Sequence, residues 1–218
     1  MSSHSSFLHR NGLSLVLLVL FLGFWVAQVI TGHAAYNQER LDQGLTLLSL
    51  SAYLRSGHFI SATFENWESE FLQMGMYVLL TVSLRQRGSA ESRPIDPAEE
   101  EERIDAGPTP WPVRIGGVWK SLYAHSLSMA FLLLFALTFV LHSWGSWLLE
   151  NEERAGQGQP ALSWTAHLLD SQFWFESMQN WQSEFLAVLS IVVLSIFLRQ
   201  DKSPESKPLR APHSQTGT

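Results

Sequence analysis

The sequence predicts an all-α integral membrane protein with four transmembrane helices. They are expected to form two parallel two-span repeats related by a pseudo-two-fold axis along the membrane normal. Three observations lead to this fold class. The chain of 218 residues contains four apolar runs, each about long enough to cross a bilayer. Its second half repeats its first half, and the basic residues lie mostly in segments that this arrangement puts on one side of the membrane.

An internal duplication organises the chain. The stretch 66–94 begins with Asn-Trp-Glu-Ser-Glu-Phe-Leu, and the stretch 180–208 begins with Asn-Trp-Gln-Ser-Glu-Phe-Leu. The copies are 114 positions apart, which is the separation of Asn66 and Asn180, and the match continues without a gap. About a third of the positions are identical over the duplicated region, and such a fixed period indicates that one structural unit occurs twice.

The predicted boundaries follow from this duplication. The first two-span repeat is 7–94 and the second is 121–208. A helix needs roughly 20 apolar residues to cross a hydrocarbon core about 30 Å thick. The predicted segments are spans at about 12–31, 66–86, 122–144 and 180–200, a disordered acidic, proline-rich cytoplasmic linker at 95–120, and a tail at 209–218.

The first apolar run has a competing interpretation as a secretory signal peptide. Residues 12–30 carry no charge, and Gly32-His33-Ala34 would be a poor cleavage site. The counterpart of this run, 122–144, lies in the middle of the chain, where no signal peptide can be. We therefore expect a transmembrane helix.

The distribution of basic residues predicts the orientation. Of the 14 Lys and Arg residues, the loops within the two hairpins contain Arg40, Arg55 and Arg154. The rest lie in the N-terminal segment, in 85–120 and in 199–210, and basic residues favour the cytoplasmic side. Both termini and the linker are expected to be cytoplasmic.

The connecting segments carry weaker signals. Leu47, Leu50 and Leu54 recur at helical spacing, which fits either a helix in the membrane interface or a surface helix of a loop domain. The linker combines four prolines with a run of four glutamates and should not bury enough apolar surface to become ordered. We expect Trp111 and Trp119 to rest on the lipid headgroups and the acidic run to be a solvated spacer.

The repeated polar box is the candidate functional or packing site. One interpretation is structural: the asparagines cap helices, the tryptophans anchor at the interface, and the serines pack closely with a hydrogen bond across to a neighbouring helix. The other is an ion or proton site built from Glu70 and Glu184, since carboxylates at this depth are costly unless paired or solvated. The box residues are Asn66, Trp67, Ser69, Glu70, Asn180, Trp181, Ser183 and Glu184.

A polar stripe extends from the box along the second predicted span. Asn66, Glu70, Gln73, Tyr77 and Thr81 fall on one helical face. The corresponding face of the fourth span becomes apolar with depth. The sequence therefore does not predict a symmetric polar pore.

Other functional classes have little support. His33, His58, His142 and His167 lie in or near the predicted outer regions and could contribute to a metal site or a pH sensor, but they lack ligand spacing and are expected to be separate structural residues. We expect no cofactor and no metal. Cysteine is absent, the motifs of common enzyme classes are absent, and the outer loops lack the basic footprint that nucleic acid requires.

The box, the Leu-Arg-Gln that follows it and the Ser-x-Glu-Ser-(Lys/Arg) tail resemble a bacterial family of small multi-span membrane proteins that is classed as a domain of unknown function. The resemblance implies a multi-pass protein of the bacterial plasma (inner) membrane and implies no activity. We expect a non-catalytic structural or interaction module in the lipid bilayer, acting as a homo-oligomer or with a membrane-protein partner. The alternative is a small proton or cation channel or transporter that uses Glu70 and Glu184.

Overall fold

A computed structural model describes residues 7–100 and 104–217, and the regular secondary structure of these residues is helical. A 3-10 turn at Pro97–Glu99 lies between α3 and α4. The helices are α1 (Phe7–Asp42), α2 (Leu50–Tyr53), α3 (Gly57–Ser83), α4 (Trp111–Ile115), α5 (Gly117–Ala124), α6 (Ser126–Gly156), α7 (Trp164–His167) and α8 (Ser171–Phe197).

Three of the helices in the described ranges, α1, α6 and α8, are long and apolar enough to cross a membrane. The second predicted span lies within α3, which has 27 residues and is not among these three. Its polar half contains Glu65, Glu68, Glu70 and Gln73, and these residues lower its mean hydropathy. The four-span arrangement, the repeat symmetry and the orientation of the termini stay predictions.

The helices begin earlier or end later than the apolar runs predict. Asn66 and Asn180 lie in the interior of α3 and α8, so the prediction that they cap these helices is wrong. Ser56 accepts a hydrogen bond from the Phe59 amide at 3.3 Å, and Asp170 caps α8 by accepting one from the Gln172 amide at 2.7 Å. These upstream residues start the helices because no proline interrupts the chain between them and the box.

The chain divides into two compact units. The first consists of the chain up to Ala62 together with Trp144–Leu162. Its apolar core is formed by Tyr36, Tyr53 and Phe59. Residues packed against this core are Trp25, Val29, Leu48 and Leu149.

Within the first unit, the start of α3 crosses the end of α6 at close range. A Cβ atom added to Gly145 would lie 2.5 Å from the backbone nitrogen of Ser61 and 2.7 Å from a side-chain carbon of Ile60. A Cβ atom on Gly57 would likewise collide with the backbone of α6 at Leu149. The two glycines therefore permit backbone contact between the helices, as small residues do in membrane bundles.

The segments after α1 and α6 are held by matching hydrogen bonds. The side-chain amide of Asn37 donates to the backbone carbonyl of Leu48 at 3.0 Å and accepts from its backbone N–H at 2.8 Å. Asn151 makes the same pair of bonds to Leu162, at 3.0 and 2.6 Å, and lies 114 positions after Asn37. Each bidentate bond fixes an extended segment to the preceding helix. The amphipathic stretch predicted at 45–54 is helical only over Leu50–Tyr53.

A left-handed glycine ends each of these two long helices. Gly44 has a φ of 73° and Gly158 a φ of 70°. Other residues rarely adopt this conformation, which ends a helix and reverses the chain. In the first unit, Arg40 and Tyr36 of α1 also bind Glu152 of α6, the tyrosine hydroxyl at 3.0 Å.

The second unit contains Thr63–Ser143 and the chain from Ser163 onward. It includes the segment that the sequence predicts to be a disordered linker. The helices α4 and α5 lie in the second half of this segment, so part of it has regular secondary structure, and the rings of Trp111 and Trp119 pack with centroids 5.6 Å apart. Residues 101 and 102 of the acidic run, and residue 103 after it, lie outside the described residues.

The C-terminal tail is fastened to the segment after α3. Lys207 is only 1% exposed, and its ammonium group donates to the carbonyls of Gln215 at 2.9 Å and His213 at 3.1 Å, and to that of Gly88. Burial lowers the pKa of Lys207, because the charged form loses water. The tail is thus tied down in the second unit.

The glycine crossing gives a first testable prediction. Gly145→Ala places a methyl group against the backbone of α3 and should lower the free energy of unfolding by about 1–3 kcal/mol. Thermal unfolding in detergent measures this effect. Gly156→Ala, in the same helix, is the matched control: a Cβ atom there meets no atom within 4 Å, and stability should be unchanged or slightly raised. Equal unfolding temperatures for the two variants would contradict the close crossing.

Candidate functional site

The two copies of the polar box lie in different environments of the second unit. In α3, Ser69 is buried, whereas Asn66 and Glu70 are exposed. In α8, Glu184 is partly buried and Ser183 is exposed. Trp67, Asn180 and Trp181 are also partly buried. The repeated residues therefore do not form a symmetric site.

Polar side chains of the box and its neighbours join α3 to α8. Gln73 donates to the backbone carbonyl of Glu184 at 2.8 Å, and Asn180 donates to the carboxylate of Glu65. The hydroxyls of Ser69 and Ser183 donate to carbonyls of their own helices, at Asn66 and Asn180, both at 2.8 Å. The hydrogen bonds between helices thus come from amide side chains, and these two serines do not make the expected donation to a neighbouring helix.

The two glutamates that the sequence predicts as an ion site do interact. Glu70 and Glu184 occupy equivalent positions in the two copies, and they are close enough for the charge of Glu70 to act on Glu184. Like charges oppose each other's ionisation. Glu70 is exposed and Glu184 is partly buried.

A second ionisable pair is far more deeply buried. Glu68 and His142 are both 0% exposed, and an oxygen of Glu68 lies 3.0 Å from Nδ1 of His142. The indole of Trp181 donates to the other oxygen of Glu68 at 3.2 Å. Helices α3, α6 and α8 thus meet at one carboxylate. Burying an ion pair requires partners of this kind, because its attraction must offset the loss of hydration.

Aromatic rings enclose this pair. The ring of Phe173 lies 5.2 Å from that of His142, and the ring of Trp174 lies 6.2 Å from that of Trp181. Phe173 is itself only 1% exposed. These apolar surfaces keep water from the pair and make its polar contacts stronger than they would be at the protein surface.

Two polar atoms beside the pair lack a partner among the described residues. They are Nε2 of His142 and the hydroxyl oxygen of Ser177, whose residue is 0% exposed. Ser177 lies one helical turn from both Phe173 and Trp181 on the same face of α8. Buried polar atoms usually have hydrogen-bond partners, so these two atoms without partners are unusual and call for an explanation.

The sequence interpretation expected His142 to be a separate structural residue and did not select Glu68 as a site residue, because it concentrated on positions that the two copies share. Glu68 corresponds to Gln182, and His142 corresponds to Gln28. The available signal was that one copy has an ionisable residue where the other copy has a glutamine. The contact itself joins residues 74 positions apart in the chain and is not readable from local pattern.

The other histidines occupy separate structural positions. His33 bonds to the Leu48 carbonyl at 2.8 Å, and His58 stacks on Tyr36 with ring centroids 4.4 Å apart, both in the first unit. His167 packs on Phe173 in the second unit. In the part of the chain that the structure describes, no group of three or more His, Cys, Asp or Glu side chains could hold a metal ion.

Comparison with known proteins identifies the family. No curated protein and no solved structure matches the chain. A family model described as Domain of unknown function (DUF6766) matches residues 4–218, nearly the whole chain. This extent includes the box, the buried pair and the tail. The chain therefore belongs to the DUF6766 family.

Proposed function

We propose that this protein is a multi-pass protein of the bacterial plasma membrane with a non-catalytic, structural or interaction role. The observation that carries the proposal is the use of the polar side chains around the box. Gln73, Asn180 and Trp181 all donate hydrogen bonds between α3 and α8. Groups that could serve chemistry are thus used to hold helices together.

Two features support α3 as a fourth span. At 27 residues it is about 40 Å long, enough to cross the hydrocarbon core. Its buried carboxylates have partners: Glu65 accepts from Asn180, and Glu68 contacts His142 and Trp181. Paired polar groups reduce the cost of placing a helix of low hydropathy in a membrane.

Matching local structure supports two equivalent repeats. Helices α3 and α8 have the same length and begin 114 positions apart, at Gly57 and Ser171. Ser49 and Ser163, also 114 positions apart, cap the short helices α2 and α7 by accepting from the amide three residues later. The asparagine bonds and the left-handed glycines follow the same period. With four spans both termini would lie on one side of the membrane, and the distribution of basic residues favours the cytoplasmic side.

Helix α1 offers an apolar surface for contact with lipid or a partner. It is the most apolar of the three candidate spans in the described ranges, and 6% of its most apolar 18-residue window is buried within the chain. An apolar face of this kind requires a lipid environment or a neighbouring transmembrane helix. A second copy or another membrane protein would supply such a helix.

The topology is tested by labelling, since the chain has no cysteine of its own. Single cysteines replace the exposed residues Leu45, Ile104, Leu169 and Leu209. A membrane-impermeant maleimide should label positions 45 and 169 from outside the cell, and positions 104 and 209 only in inside-out vesicles. If α3 does not cross the membrane while the N-terminus stays inside, positions 104 and 209 become external and position 169 internal.

The interaction role is tested by crosslinking in native membranes. A cysteine at Gly23, where a Cβ atom meets nothing within 4 Å, should give a discrete disulfide-linked dimer or a crosslink to another membrane protein. A cysteine at Leu209, exposed in the tail, is the control for random collision. Monomer alone at position 23, with no captured partner, would count against the proposal.

A second candidate function is conduction of protons or cations past Glu70 and Glu184. The observation that favours it is the action of one glutamate on the other. Further along the stripe, Tyr77 and Thr81 line a cavity of about 360 Å³ between α3 and α8, although the two glutamates do not line it. Polar groups and a cavity on one helix face are the elements of a conduction path.

The end of this stripe beyond α3 also carries a carboxyl group. Tyr77 donates to Glu91 at 2.9 Å. Burial raises the pKa of Glu91, and the neighbouring Glu205 adds to the effect because like charges oppose ionisation. Glu91 is therefore suited to hold a proton at the predicted cytoplasmic end.

Flux through proteoliposomes tests this candidate. The double variant Glu70→Gln, Glu184→Gln should show a proton or cation flux roughly tenfold or more below that of the wild type, because a conduction site acts through its charge. Glu99→Gln, in an exposed part of the linker, is the matched control and should keep the flux. Wild-type liposomes that stay tight over a range of pH and voltage would exclude conduction.

A further inference from the structure

We propose that Glu68, His142 and Ser177 form a buried proton-binding site, in which Nε2 of His142 gains and loses one proton. The site is distinct from Glu70 and Glu184 and goes beyond the structural role proposed above. Its ligand is the proton itself. The argument rests on the hydrogen bonds, the burial and the two unpartnered atoms of this site.

The hydrogen bonds determine which atom exchanges the proton. The indole of Trp181 can only donate, so one oxygen of Glu68 is an acceptor. The other oxygen and Nδ1 of His142, 3.0 Å apart, must share a proton to form a hydrogen bond. The Glu68–His142 pair can hold two protons or one, and the shared proton is present in both states. The two states therefore differ only in whether Nε2 carries hydrogen.

Charge balance decides which state the fold favours. With two protons the pair is neutral, either as an imidazolium with a carboxylate or as an imidazole with a carboxylic acid. With one proton, the carboxylate of Glu68 is left fully buried without a counter-charge, which is strongly unfavourable. Loss of the Nε2 proton should therefore weaken the packing of α3 against α6 and α8.

Other ionisable groups lie around this site. Glu65 of α3 interacts with the charge of His142, and also with those of Glu68 and of Glu176 in α8. On α7, His167 packs against the ring of Phe173, which in turn packs against His142.

Ser177 completes the site. It lies on α8 between Phe173, which contacts the ring of His142, and Trp181, which donates to Glu68. A hydroxyl both donates and accepts, so Ser177 can serve Nε2 in either protonation state through a bridging water. This versatility explains a hydroxyl that is buried without a partner in its own helix.

The duplication supplies matched variants. At the corresponding positions the other copies carry Gln182 and Gln28, which are neutral at every pH. Glu68→Gln and His142→Gln thus introduce at each position the residue that the other repeat carries there. The proton site joins Glu68 of the first repeat to His142 of the second.

The first measurement is thermal unfolding in detergent between about pH 5 and pH 9, the range in which histidine titrates. The wild type should lose roughly 10 °C of unfolding temperature as the pH rises, because Glu68 loses its counter-charge. The double variant Glu68→Gln, His142→Gln should lack this dependence. Glu68→Gln alone should reverse it and lose stability toward low pH, whereas His142→Gln should be least stable at high pH. Glu99→Gln, in an exposed part of the linker, is the control and should keep the wild-type profile.

A second measurement observes the ring directly. In protein with ¹⁵N-labelled histidine, the Nε2 resonance of His142 should move between its protonated and deprotonated positions over the same range. Ser177→Ala, which removes one oxygen atom, should shift that resonance and so assign it even if the glutamine variants do not fold. A ring that keeps one protonation state throughout, or a double variant with the wild-type pH profile, would overturn the proposal.

Discussion

Every polar side chain that a helix carries into apolar surroundings must find a partner there, and this constraint governs the second unit. Helix α3 brings Glu65, Glu68 and Gln73 into the packing, and each is bound by a group from α6 or α8. Trp181 and His142 bind the same carboxylate from two different helices. The position of α3 is thus fixed by hydrogen bonds as well as by apolar contact, and removing one partner leaves another group unsatisfied.

The same constraint applies in the first unit, where the polar groups that need hydrogen-bond partners belong to the backbone. The segments that follow α1 and α6 are extended, and their amides and carbonyls cannot bond within a helix. Asn37 and Asn151 satisfy both polar groups of Leu48 and Leu162. An amide side chain offers a donor and an acceptor at a fixed spacing, which matches one residue of extended backbone. The recurrence of this bond after 114 positions shows how a duplicated sequence reproduces a local device.

Much of the helical content could be predicted from the sequence, because long apolar runs admit few alternatives. The starts of α3 and α8 could not be predicted, because Asn66 and Asn180 are good helix caps in isolation. Only the folded chain shows that the helices already begin after Ser56 and Asp170. Repeat symmetry did select Glu70 and Glu184, which interact. It gave no weight to Glu68 and His142, since their counterparts are glutamines.

That difference between the copies bears on where function should be sought. Residues shared by two copies answer requirements that both copies have, such as ending a helix or fixing a loop. Glu68 and His142 are fully buried, whereas their counterparts Gln182 and Gln28 are exposed and partly buried. The ionisable pair therefore answers a requirement that arises once. The energetic cost of burying a carboxylate beside an imidazole favours this unshared pair, more than the repeated box, as the place to look for a specific task.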